Sequence, residues 1–239
     1  MAARFTVRHY DSIGSTNDEA RRLAKEGAPH GTVVHADEQT AGRGRLMRTW
    51  FSPPGNLYMS ILLRLDMPAP RLSELSFVAS LAVAQTVEAL LPKRLRPVLK
   101  WPNDVLVEDA KICGILLETE GDAAILGIGL NVLEAPTGAR YKTTTLVASG
   151  GIASVDSARD ILLERLGLFL DLWQAEGFDA IRAAWAARSY PLGTPIRASS
   201  GGSTYEGEFA GLDESGALLL QTSEGARRIL AGDISIGTQ

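Results

Sequence analysis

Cysteine is nearly absent from this 239-residue chain and histidine is scarce, with one Cys and three His. A single thiol, Cys113, leaves no internal disulfide to form. It lies in the apolar run ICGILLE and reads as a small buried hydrophobe rather than a nucleophile. So few soft ligands argue against a dedicated zinc site. Long hydrophobic runs are missing too: no 18 consecutive apolar residues occur, so no membrane span is expected. The opening MAARFTVRHYDS is too short and polar for a signal peptide. Both absences point to a cytoplasmic chain. Positive charge is not in excess. The 24 Lys and Arg against 28 Asp and Glu leave a net −4, which argues against general affinity for nucleic acid. What is present is ordinary globular usage, 45% hydrophobic and 22% charged, enough for one large domain with a small satellite.

Hydrophobic periodicity divides the chain. Strands are expected over 4–10, 32–38 and 57–65. A helix is expected from near Asn17 to Gly27, opened by Thr16 and Glu19 spaced as a capping box. A long amphipathic helix is expected over 71–91. Strands at 98–101, 105–108, 111–118 and 123–133 follow, then helices at 155–175 and 178–188. From Pro191 the pattern changes to Gly, Ser and Thr with four short strands. The expectation is an α+β fold in two domains. Residues 1–190 form a mixed β-sheet packed with helices, and 191–239 a small C-terminal β-barrel or meander, too small to hold much core alone.

Four stretches carry chemistry. Between the second and third strands runs QTAGRGRLMRTWFSPPGN, a long aperiodic loop of the kind that is often functional. Its glycines let backbone approach a ligand closely, and its arginines supply planar, permanently charged donors for carboxylate or phosphate. Trp50 offers a flat face to a purine, worth roughly 1–3 kcal/mol by analogy with base stacking. A solvated loop is the alternative, and neither a P-loop nor GxGxxG is present. In Lys100–Asp104, Pro102 fixes the direction between a mobile cation and a compact carboxylate; Asp104 suits a magnesium ion or a ribose hydroxyl. An ordinary turn with an exposed charge pair competes. Lys111 opens an apolar strand, either snorkelling to solvent or aimed into a cleft, and Gly114 within it suggests close approach. Gly127 and Gly129 clear one strand face that Asn131 shares, where an amide can match adenine; a helix crossing the glycines is the alternative.

Taken in order, SerThrAsn at 15–17, Gln39 with GlyArgGlyArg at 42–45, LysTrpProAsnAsp at 100–104, LysIleCysGlyIleLeuLeuGlu at 111–118 and GlyIleGlyLeuAsnVal at 127–132 closely resemble the motif series of biotin protein ligases. The resemblance covers residue 4 to about 190, and the C-terminal piece looks like that family's SH3-like β domain. It implies a class II synthetase-like catalytic domain in the short form, without an N-terminal DNA-binding domain.

The resemblance also implies roles. Ser15, Thr16, Asn17, Gln39, Gly42, Arg43, Gly44, Arg45, Lys111 and Gly114 match biotin-binding positions. Arg45, Arg48, Trp50, Asn103, Lys111 and Asn131 match ATP-binding positions. Lys111, Arg45, Lys100 and Asp104 line the reaction centre, with Asp104 a candidate Mg²⁺ ligand. One departure stands out. The bacterial pattern often continues GlyArgGlyArg with Arg-Gly-Arg, whereas Leu46, Met47 and Arg48 follow here. A cation and a glycine are lost, which bears on loop mobility and on retention of an adenylate.

The implied activity is ATP-dependent formation of biotinyl-5'-AMP, then transfer of biotin to a lysine of a biotin carboxyl carrier protein. The nucleophile belongs to that partner, and no Ser-His or Cys-His pair is evident. A lipoate or octanoate ligase shares the fold but not the GlyArgGlyArg and LysTrpProAsnAsp signatures. A biotin-sensing repressor is the rival from another class. The pattern begins within the first dozen residues, leaving no room for a helix-turn-helix, so no DNA binding is expected. A homodimer through a sheet edge stays open, as does the identity of the carboxylase subunit.

Overall fold

The computed structural model describes residues 4–139 and 141–237. The outer ends of the two expected domains, residues 1–3 and 238–239, lie outside the described residues. Alternating and continuous apolar runs become the seven strands of one mixed sheet: β1 (Thr6–Ile13), β2 (Thr32–Gln39), β3 (Leu57–Arg64), β4 (Pro97–Lys100), β5 (Asp104–Val107), β6 (Ala110–Glu120) and β7 (Ala123–Leu130). Their order is β1-β2-β3-β7-β6-β5-β4. Only β1 and β2 run parallel, because helix α1 (Thr16–Lys25) crosses between them; the remaining neighbours are antiparallel.

Period-2 alternation sorts side chains to the two faces. Val34, Leu62 and Ile125 meet Ala20, Leu23 and Ala24 of α1 on one side. Val33, Met59, Ile61 and Leu126 point the other way into the main core. There they meet α2 (Leu75–Leu90), which is buried nearly all round, with α3 (Val155–Glu176) and α4 (Phe178–Ala186) packed beyond it. Each fully buried Leu contributes about 1.5–3 kcal/mol. Helix α2 begins later than its apolar pattern suggests, because residues 69–74 form a 3₁₀ turn. Cys113 is fully buried, and its thiol is pushed far above its ordinary pKa by desolvation. It is an inert core residue, as its surroundings in the sequence imply.

Helix α1 departs from expectation. It starts at Thr16, with Ser15 at the N-cap making no side-chain cap bond. The capping box does not form, because both of its members are engaged elsewhere. Glu19 accepts from Tyr10 and Arg22, and the Thr16 hydroxyl turns to Gln39. The box expected at α1 is found instead at α3, between Ser154 and Ser157.

The C-terminal segment has five strands rather than four: β8 (Pro195–Ser200), β9 (Ser203–Leu212), β10 (Leu218–Thr222), β11 (Gly225–Ile229) and β12 (Asp233–Ile236). Antiparallel order β11-β10-β9-β8-β12 leaves the two end strands unpaired with each other, so the sheet is not a closed barrel. The fifth strand is short and half exposed, so its apolar alternation is weak. Ile196, Phe209, Leu218 and Ile234 join the main core, and the Gly216 carbonyl accepts from the buried indole of Trp101. The small sheet thus borrows its core from the large one. No described helix is long and apolar enough to cross a membrane.

Candidate active site

The strand ends, the start of α1, the arginine loop and β12 enclose one cleft of about 260 Å³. Its inner end is polar. Thr16 and Asn17 are buried at the start of α1 and Ser15 sits beside them. The Thr16 backbone N–H (2.8 Å) and hydroxyl (3.1 Å) donate to Gln39 Oε1, and Gln39 Nε2 donates to Ser52 Oγ at 3.0 Å. This fixes which way the Gln39 amide faces. The Ser60 hydroxyl lies 2.7 Å from Thr16 Oγ1 and 2.5 Å from Asn17 Oδ1, while Asn17 Nδ2 donates to Glu118 at 2.7 Å. Gly127 makes room for Asn17, since a Cβ there would stand 2.2 Å from Asn17 Oδ1. The result is a rigid set of donors and acceptors with locked orientation.

The centre is cationic. Lys111 Nζ lies 2.6 Å from Asp104 Oδ1, and Lys100 Nζ lies 3.8 Å from Asp104 Oδ2. Lys100 and Asp104 are a register pair in the β4–β5 hairpin, and Asp104 pairs with Gly114 of β6. Two mainly buried ammonium groups thus share one carboxylate. Burial disfavours the Lys111 charge, but Asp104 outweighs it and holds the ammonium above its ordinary pKa. Burial pulls Lys100 below its ordinary value against the attraction of Asp104, and Lys111 adds to the lowering. Asn103, in the hairpin turn, exchanges bonds with Ile115: its Nδ2 donates to the Ile115 carbonyl at 2.5 Å, and the Ile115 N–H donates to its carbonyl at 3.0 Å. Its side-chain oxygen accepts from Arg45 at 3.1 Å.

The loop arginines diverge in role. Arg43 is pinned on Asp18 (2.8 and 3.0 Å) and reaches Glu118 at 3.4 Å. Arg45 and Arg48 turn instead toward the cleft and β12. Between them Leu46 and Met47 take left-handed backbone, φ 55° and 57°, and are 71% and 83% exposed. Bulky residues adopt that region only at a cost, and Met47 stands where the bacterial pattern often has glycine. The loop is held by an Arg43–Thr49 bridge and by the Gly44 N–H donating to the Arg48 carbonyl at 2.7 Å.

Trp50 also lines the cleft. Its ring lies against Gly114 and Gly129, where a Cβ would sit 2.9 Å from Cζ3 and 2.4 Å from Nε1 respectively. Lys111 Nζ is 5.1 Å from the Trp50 ring and 5.3 Å from the Tyr141 ring. The Trp50 indole N–H is buried without a hydrogen-bond partner among the described residues. Such a group is costly unless something polar meets it.

Ser15, Thr16, Asn17, Gln39, Arg43, Gly44, Arg45, Arg48, Trp50, Lys100, Asn103, Asp104, Lys111 and Gly114 all line the cleft. Gly42 and Asn131 do not. Gly42 lies behind Gln39, where a Cβ would meet Ser52 Oγ at 2.4 Å. Asn131 is buried, with its amide donating to the Thr144 carbonyl at 3.1 Å; Thr144 in turn donates its N–H to the Lys111 carbonyl at 3.0 Å. It therefore braces the Lys111 strand from behind. Sequence reasoning missed Tyr141, Ser60 and Asp233. Asp233 had no signal, since its cleft partners lie about 190 residues away in sequence.

Magnesium was expected on Asp104. The two carboxylates lining the cleft, Asp104 and Asp233, each already face two cations. A dication is repelled from such a carboxylate, so these residues do not fit a protein-held Mg²⁺.

Residues 10–132 match the biotin/lipoate A/B protein ligase family, and residues 192–237 match the biotin protein ligase C-terminal domain. The chain is 38% identical to the biotin–[acetyl-CoA-carboxylase] ligase of Paracoccus denitrificans, over 93% of this chain and 97% of that protein. It is 37% identical to the bifunctional ligase/repressor BirA of Bacillus spizizenii, over 96% of this chain and 73% of that protein. Among solved structures, the biotin protein ligase of Aquifex aeolicus in complex with biotin and ATP superposes with a TM-score of 0.83 at 30% identity, covering 98% of this chain and 99% of that one.

Proposed function

The chain belongs to the biotin/lipoate A/B protein ligase family, and on that premise we propose that it is a biotin protein ligase. It forms biotinyl-5'-AMP from biotin and ATP, then transfers the biotinoyl group to a lysine of a biotin carboxyl carrier protein. One observation carries this reading. A locked polar pocket, an indole N–H without a hydrogen-bond partner among the described residues, and the cations Lys111, Lys100 and Arg45 all line a single cleft.

The polar end offers the hydrogen bonds that a ureido ring needs. A dithiolane has no N–H or C=O with which to exchange hydrogen bonds with this network, so lipoate should be rejected by at least about 100-fold. Trp50 presents a ring face for the purine and a buried donor. At the centre the biotin carboxylate and the α-phosphoryl group are both anionic. Lys111 and Lys100, with Arg45, offset their repulsion and stabilise charge building on phosphorus. A carboxylate oxygen bonds to the α-phosphorus as the bond to pyrophosphate breaks. The acceptor amine, having lost a proton, then bonds to the acyl carbon as the carbon–oxygen bond to AMP breaks. Positioning supplies much of the remaining acceleration.

Two domains divided near 189–193 follow from the same reading, the smaller supplying Asp233 to the cleft. A net charge of −4 speaks for an enzyme over a DNA-binding repressor. The test is mass spectrometry of an apo carrier domain incubated with the protein, ATP and either biotin or lipoate. One biotinoyl group on one lysine, with lipoate inert, supports the proposal. Lipoylation, or no modification of any carrier, overturns it.

A further inference from the structure

Asp233 opens β12 in the C-terminal sheet, yet it lines the cleft of the large one. Its Oδ2 lies 2.6 Å from Arg48 Nη2, and its Oδ1 accepts from Arg45 Nη1 at 3.3 Å. Arg45 Nη2 also donates to the Gly232 carbonyl at 3.0 Å. These contacts grip both sides of Leu46 and Met47, the two exposed left-handed residues. Gly232 lies close against β8: its φ is +157°, and a Cβ there would stand 2.2 Å from the Ser199 carbonyl oxygen. Asp233 itself is paired with Ser199 of β8, so the loop is anchored on a hydrogen-bonded strand of the C-terminal sheet.

We propose that Asp233 is a positioning residue that latches the arginine loop: its carboxylate holds Arg45 and Arg48 where the acyl-adenylate phosphate will later engage them, so the C-terminal sheet controls how long that intermediate is retained. The inference rests on the ligase reading for its substrate, but the latch exists without any ligand. A carboxylate is a fitting placeholder, since it offers each of the two guanidinium groups one anionic acceptor oxygen, as a phosphate can. Without it Arg48 loses its carboxylate partner and Arg45 keeps only the neutral acceptors of Asn103 and Gly232, so the strained tip relaxes and opens the cleft to water.

Two readouts separate the latch from the function. The first uses no ligand. Trypsin cuts after Arg45 and Arg48, and Asp233→Asn is expected to raise the initial rate of cutting at these two bonds at least about fivefold. Cutting elsewhere and the thermal midpoint should stay close to wild type. An additional Arg48→Met change in the Asp233→Asn background should add little to the cutting after Arg45, because both remove the same contact. The second readout is release of free biotinyl-5'-AMP after mixing with biotin and ATP. It should be about tenfold faster in Asp233→Asn, while the KM for biotin is unchanged, and Asp233→Glu should recover part of the retention. A global fall in stability with all kinetic parameters altered would mark a merely structural role and overturn the proposal. So would unchanged cutting and release, or fully additive effects. A wild type that forms no adenylate sinks the ligase reading and leaves the proteolysis result to decide the latch.

Discussion

Lys111 Nζ and Asp104 Oδ1 are 2.6 Å apart, with Lys100 on the other side of the same carboxylate. One negative charge thus holds two cations side by side in a mostly buried place, where like charges would otherwise separate. Removing Lys111 leaves Asp104 to Lys100 and takes away the better-placed cation. Lys111→Ala should cut biotin-dependent ATP–pyrophosphate exchange on the order of 10²–10³-fold, the scale of losing one charge-stabilising donor. Stability should change far less, because Asp104 keeps a partner. Near-normal exchange in this variant would remove Lys111 from the reaction centre.

Gly127 and Gly129 are two residues apart on β7 and clear two different side chains. A methyl at 127 collides with Asn17, and one at 129 with Trp50. Gly127→Ala should therefore raise the KM for biotin at least about tenfold with little change for ATP, and Gly129→Ala should do the reverse. These are overpacking changes that typically cost about 1–3 kcal/mol. Steady-state exchange kinetics with each substrate varied in turn checks the assignment, and parallel effects of the two variants would contradict it.

Gln39 is held by Thr16 on one side and Ser52 on the other. Gln39→Leu keeps the bulk, strands the Thr16 donors and removes the amide. The KM for biotin should rise at least about tenfold, with the unfolding free energy lowered by about 1–3 kcal/mol for the unsatisfied donors. Isothermal calorimetry with biotin and urea unfolding measure the two parts separately.

His35 is buried on β2 with both ring nitrogens unpartnered, facing His9, Asp37, Asp156 and Arg159. Burial, helped by Arg159 and His9, holds its pKa below the ordinary 6.5 against Asp37 and Asp156. The unfolded chain therefore binds a proton first. The stability that comes from keeping His35 neutral is complete above pH 6.5 and is lost as pH falls toward its folded value, at about 1.4 kcal/mol per unit of pKa shift. The urea midpoint should fall as pH drops below 6.5, and His35→Leu should flatten that part of the profile. An equally steep profile in the variant would place the acid sensitivity elsewhere.

Much of this was legible in the sequence because it rests on local pattern. Seven strands and four helices follow from periodicity, and the glycines at 114, 127 and 129 mark places where a neighbour comes close. Thr16 and Glu19 misled because the same side chains can cap a helix or serve a site, and here a partner 23 residues away, Gln39, won the Thr16 hydroxyl. Asn131 shares a strand face with Gly129 only while the strand continues, and β7 ends at Leu130. Asp233 was illegible for a different reason. Its partners are chosen by how two sheets dock, and no spacing within either one encodes that.

The most direct test of the account is exchange of labelled pyrophosphate into ATP by the purified wild-type protein, with and without biotin and with lipoate in its place. Exchange that requires biotin, fails with lipoate and collapses in Lys111→Ala is the predicted result. Exchange independent of biotin, or supported equally by lipoate, would contradict the claim that this cleft activates biotin.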